Sequence, residues 1–142
     1  AAITVPAGRV DDESQKLIEI TRNALERGIE AATAGNTVGD IGYAIYEAVR
    51  SSGFTLAEDL TGHGVGYSVH EEPFVPNFGK KGEGEEMVAV RGIASGPMVN
   101  SGKPGIRRAR DGYTGKTRDG SRSAHFEHTV AINEKGNIIL TS

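Results

Sequence analysis

"VDDESQKLIEITRNALERGIEAATAGNTVGDIGYAIYEAVRSSG", residues 10–53, carries an apolar spacing of three and four that ends abruptly at Gly53. Leu17, Ile20, Ala24, Leu25 and Ile29 fall on one helical stripe, and Asp11 or Asp12 stands where a carboxylate accepts from the first free amides. The spacing predicts an amphipathic helix over residues 12–33, broken by "ATAGN". A second helix is expected from the cap Thr37, with Asp40 three residues on and Val38, Ile41, Ile45, Ala48 and Val49 on one face. The pair reads as an αα-hairpin.

Past Gly53 the period changes to two. "FTLAEDL" has strand character, "SAHFEHTVAI" (123–132) alternates cleanly, and "NEKGN" reads as a hairpin turn into "NIILT". Two helices followed by antiparallel strands make an α+β fold, with the helices packed on one sheet face. "GKKGEGEE" (79–86) reads as a mobile charged loop.

The length of 142 residues suits one domain, 1–142, with one core. A net charge of −3 and no basic block longer than "RRAR" (107–110) argue against a nucleic-acid partner. The absence of cysteine removes disulfides, thiolate zinc sites and thiol nucleophiles, and suits a cytoplasmic location. No apolar run approaches the ~20 residues that span a bilayer, so no membrane partner is expected. Glycine, 20 residues in all, is about twice as frequent as usual, which implies many tight turns.

Any metal must therefore be held by His, Asp or Glu. "LTGHGVGYSVHEEP" (60–73) sets His63 and His70 seven residues apart, on opposite faces of a straight strand. Gly62, Gly64 and Gly66 let the backbone turn so that both imidazoles reach one cleft; a glycine turn capped by two structural histidines is the alternative. In "SAHFEHTVAI" Phe126, His128, Val130 and Ile132 share one face, while His125, Glu127, Thr129 and Ala131 share the other. A carboxylate between apolar neighbours is expensive to bury unless a charge such as a bound cation compensates it; an edge-strand Glu facing water is the other reading. His128 is expected to pack toward the core.

Together "GHGVGYSVHEEPFVPNFG", "GPMVNSGKP", "DGYTGKTRDGSRSAHFEHTVAINEKG" and the helical segment resemble the C-terminal part of a bacterial type I methionine aminopeptidase. They fit that family better than the prolidases and creatinases that share its fold. The resemblance implies half of a pita-bread fold, whose two halves are pseudo-symmetric. It also implies a two-metal hydrolase that removes the N-terminal Met from peptides, using Mn, Fe, Co or Zn. Two Asp, one His and two Glu hold the cations in that family, and the cations lower the pKa of a bridging water. By resemblance His63 is the metal-binding His, Glu127 the Glu that bridges both metals, and His70 the catalytic His that contacts the scissile amide.

The likeness fails at one ligand. The family's "IEPMVN" appears as "SGPMVN", so Gly96 stands where a Glu both binds metal and accepts the proton of the attacking water. "MVAVRGIASG" (87–96) also departs, with a charge and two glycines expected to weaken the strand. Tyr113, Gly115 and Arg122 are milder departures. The two Asp ligands belong to the family's N-terminal half, ahead of a segment like "AAITVPAG". These readings imply a metallopeptidase half that is inactive alone, with weak or absent metal binding, whether it arises as an engineered piece or as one product of a split enzyme. A complementing N-terminal half or a homodimer is its expected partner. A non-catalytic peptide- or protein-binding module, or an engineered scaffold, is the alternative.

Overall fold

Asp11 opens the first helix. Its carboxylate accepts from the Ser14 amide at 2.8 Å and caps α1 (Asp12–Ala31), which ends two residues short of the expected 33. Leu17, Ala24, Leu25 and Ile29 are buried as the spacing requires, joined by Ile18 and Thr21, whose hydroxyl donates to the Leu17 carbonyl at 2.6 Å. The second helix, α2 (Val38–Val49), starts with a full capping box: the Thr37 amide donates to the Asp40 carboxylate at 2.8 Å and the Asp40 amide to the Thr37 hydroxyl at 3.3 Å. Val38, Ile41, Ile45 and Val49 are buried. The helices cross closely at Gly28, where a Cβ would lie 2.8 Å from Ile45 Cγ1.

The computed structural model describes residues 1–141. Among them the strands are β1 (Thr55–Leu56), β2 (Gly62–Val65), β3 (Glu71–Val75), β4 (Arg91–Ser95), β5 (Met98–Asn100), β6 (Ile106–Arg108), β7 (Gly115–Thr117), β8 (Ser123–His125), β9 (His128–Asn133) and β10 (Gly136–Ile139). All pairings are antiparallel. They build a five-stranded sheet in the order β10-β9-β4-β2-β3, a three-stranded sheet β1-β5-β8 and the hairpin β6-β7. The α+β reading holds. Among the described residues no helix is long and apolar enough to cross a membrane.

Three expectations change. First, "SAHFEHTVAI" is two strands, β8 pairing with β5 and β9 with β4, and the chain passes between sheets at Phe126 and Glu127. The alternation survives the break: Phe126, Val130 and Ile132 are buried, while His128 is only half-buried, with Nδ1 3.3 Å from the Thr141 hydroxyl. Second, the stretch expected to make a weakened strand, β4, lies at the centre of the large sheet, bonded to β2 and β9 on its two sides. Ladders on both edges offset the poor strand propensity of Gly92. Third, the charged loop 79–86 is tied down. The Val38 amide donates to the Glu85 carbonyl and the Gly39 amide to the Glu83 carbonyl, each at 3.0 Å, so the loop satisfies free donors at the start of α2.

The core lies between the helices and the sheets, where Leu17, Leu25, Ile41, Ile45, Ile93, Val99, Phe126, Val130 and Ile132 meet. Cross-strand neighbours share a face. Gly64, Ile93 and Val130 therefore form a core-facing row, and the adjacent row His63, Ala94 and Thr129 points to the other side. His63 lies on that second face.

Candidate functional site

His63 sits on β2, opposite Phe74 of β3 and Ala94 of β4, with a register shift between His63 and Gly64. Gly64 is required there: a Cβ would lie 2.3 Å from the Glu72 carbonyl oxygen. After the irregularity the chain loops back, closed by the Ser68 amide donating to the Glu71 carboxylate at 2.5 Å. The result brings the His63 and His70 rings to 4.2 Å between centroids, tilted by 45°. The glycine-permitted turn thus gathers both histidines at one place. His70 is exposed.

The hydrogen bonds also orient His63. Its Nδ1 lies 2.9 Å from the Gly64 carbonyl oxygen, which can only accept, so Nδ1 carries the proton and Nε2 presents a lone pair. An imidazole whose second nitrogen donates to a backbone carbonyl is the usual arrangement of a metal-binding His.

Glu127 stands at the crossing between β8 and β9, held by a bridge to the N-terminal segment. The Ala2 amide donates to the Glu127 carbonyl at 3.0 Å and the Glu127 amide to the Ala2 carbonyl at 2.8 Å. Thr4 continues the clamp, its hydroxyl donating to the His125 carbonyl and accepting from the His125 amide, both at 2.9 Å. The Glu127 carboxylate is about one-quarter exposed, 27%. One oxygen, Oε1, lies 3.1 Å from the Ala1 ammonium nitrogen, and Oε2 lies 3.7 Å from His125 Nε2.

His125 was not among the candidate site residues, although period-two spacing puts it on Glu127's face. Gly96 explains its position. A Cβ there would fall 2.9 Å from His125 Cε1, 2.9 Å from Glu127 Cγ and 3.0 Å from Glu127 Cβ, so the imidazole fills the room a side chain at 96 would need. Asp111, on the hairpin connecting β6 and β7, accepts from the Tyr113 and Thr114 amides at 3.0 and 2.9 Å. The Thr114 hydroxyl first, and then those two amides, hold the Asp111 carboxyl below the usual range.

A two-cation centre needs more donors than this. Gly96 offers none, and among the described residues no group of three or more His, Asp or Glu side chains converges as a metal site. His63 is built like a ligand, but the donor set within these residues does not fit two metals.

Comparison with known proteins shows the family. The sequence model of metallopeptidase family M24 matches residues 1–134. The methionine aminopeptidase of Clostridium perfringens is 44% identical over 141 residues, covering 99% of this chain and 57% of that protein. That of Aquifex aeolicus is 49% identical over 145 residues, covering 99% of this chain and 55% of that protein. The crystal structure of the Thermotoga maritima methionine aminopeptidase superposes with a TM-score of 0.95 at 41% identity, covering 99% of this chain and 56% of that one. The chain spans about half the length of the curated relatives it matches. The architecture is half of the pita-bread fold.

Proposed function

This chain belongs to metallopeptidase family M24, and on that footing we propose that residues 1–142 are one domain, the C-terminal part of a methionine aminopeptidase-like catalytic domain. In this reading it works in the cytoplasm on peptides bearing an N-terminal Met. The observation that carries it is the apposition of the His63 and His70 rings at 4.2 Å, in a chain similar along 99% of its length to methionine aminopeptidases. His63 offers Nε2 and Glu127 a carboxylate to a divalent cation, Mn, Fe, Co or Zn. His70, exposed beside them, donates from its ring to the carbonyl of the scissile amide and orients it.

By itself the chain is inactive, because Gly96 supplies no proton acceptor and the donors do not fit two cations. With any of the four metals no Met is released from a Met-Gly-Met peptide; metal-dependent release that His63→Ala abolishes would overturn this. A complementing segment that brings carboxylates is the partner. Co-expressed with the N-terminal half of the Aquifex aeolicus relative and carrying Gly96→Glu together with His125→Ala, which clears the space at position 96, the chain releases Met, and His70→Ala suppresses that release. A folded, complemented assembly without activity removes the peptidase reading. Sedimentation separates this partner from a second copy of the chain, which appears as a dimer of the chain alone.

The lack of a carboxylate at Gly96 favours one further reading, binding without hydrolysis. Calorimetry with the same peptide and no complementing half reads it directly, as saturable heat with no product.

A further inference from the structure

His125 repeats the arrangement of His63. Its Nδ1 lies 3.2 Å from the Pro97 carbonyl oxygen, an obligate acceptor, so Nδ1 donates there and Nε2 faces Glu127 Oε2, 3.7 Å away, while Glu127 Oε1 lies 3.1 Å from the Ala1 nitrogen. A ring nitrogen and a carboxylate oxygen thus face each other across a gap that a proton or a cation can fill. Bonds of ~2.0–2.2 Å from His nitrogen and carboxylate oxygen to one metal fit a donor separation of this size. Both groups hang from a backbone clamped by Ala2 and Thr4, so the pair is preorganised. The ring is there only because position 96 is glycine, which ties the loss of one side chain to the presence of another.

We propose that His125 Nε2 and the Glu127 carboxylate form a binding site for a single first-row transition-metal cation, the imidazole taking the space that a side chain at position 96 would fill. The proposal rests on the reading of Glu127 as the metal-facing carboxylate, and replaces the absent donor at 96 with a nitrogen. Imidazole with one carboxylate favours Zn(II), Ni(II) or Cu(II) over Mn(II) or Mg(II). Water completes the coordination, so the site is weaker than one with three protein ligands.

Zn(II) alone is the probe, titrated into the 142-residue chain by calorimetry while NMR follows the ring nitrogens of the four histidines. One equivalent binds, the His125 Nε2 resonance moves, and His125→Gln weakens binding by about tenfold or more. Gly96→Ala, whose Cβ pushes the ring aside, weakens it too and serves if His125→Gln does not fold. Full-strength binding in these variants, checked as folded by thermal unfolding, overturns the proposal, as does no binding up to about 1 mM Zn(II). Loss in His63→Gln with retention in His125→Gln leaves the His63–Glu127 reading standing and sinks this one. Binding that needs His125 but survives Glu127→Gln removes Glu127 from both.

Discussion

Val90 lies one residue before β4 with φ at 68°, a conformation that is a true outlier for a β-branched residue. Its amide still donates to the Ile132 carbonyl at 2.8 Å, which is what holds the bend, and its side chain, 97% exposed, contributes no burial. Glycine there relieves strain of ~1–3 kcal/mol at an entropic cost of ~0.5–1 kcal/mol, so Val90→Gly gains about 1 kcal/mol. The check is a urea midpoint that rises at unchanged slope; an unmoved midpoint would mean the strain is absent. At the same scale the sequence showed His63, His70 and Glu127 as the residues able to carry metal chemistry. It did not show His125 entering the space over Gly96, because the fit of one ring into one vacancy has no signature in spacing.

Among the elements, the helical hairpin depends on Gly28. A Gly→Ala change on a free helix face gains up to about 1 kcal/mol, but here the new methyl meets Ile45 Cγ1 at 2.8 Å and Cδ1 at 3.0 Å. Overpacking wins, and Gly28→Ala loses about 1–3 kcal/mol, measurable by chemical denaturation and partly recovered by Ile45→Val. The start of α1 has its own acid sensitivity. The Ser14 amide and then the Arg122 guanidinium, which donates to both Asp11 oxygens at 2.7 and 2.6 Å, hold the Asp11 carboxyl down at about 2. A carboxyl depressed in the folded state stabilises above its unfolded pKa of about 3.9 and loses that contribution as pH falls toward 2. The melting temperature therefore drops across this window, and Asp11→Asn, which keeps the cap acceptor, flattens the drop. A variant with the same acid slope as the parent would remove Asp11 from the account. Asp119 titrates in the same range, held at about 2 by the Lys103 amide and Ser121, so some slope remains.

Across the whole molecule one core joins both helices to both larger sheets, so the chain unfolds in a single transition, with far-UV circular dichroism and NMR signals of the buried methyl groups losing structure together. Two separated transitions would divide it into two domains. Protection against hydrogen exchange follows sheet position: β4, bonded on both sides, is the last to exchange, while the edge strands β3 and β10 open sooner. Faster exchange in β4 than in β10 would contradict the observed strand order. The exposed Ile138 and Ile139 of β10, with Leu140 just after it, add to the vulnerability of that edge.

The sequence by itself determined the two helices, their caps at Asp11 and Thr37, the change of period at Gly53, and the side chains eligible for metal and acid–base work. Each of these is encoded within a turn or two of chain, where propensity, capping and periodicity act. Tertiary structure decided the rest. It split residues 123–132 between two sheets, placed the irregular strand Arg91–Ser95 at the centre of the larger one, tied the charged loop across the start of α2, and set His125 against Glu127. Those outcomes depend on hydrogen bonds and excluded volume between segments far apart along the chain, and no local pattern of residues records which distant strand will lie alongside.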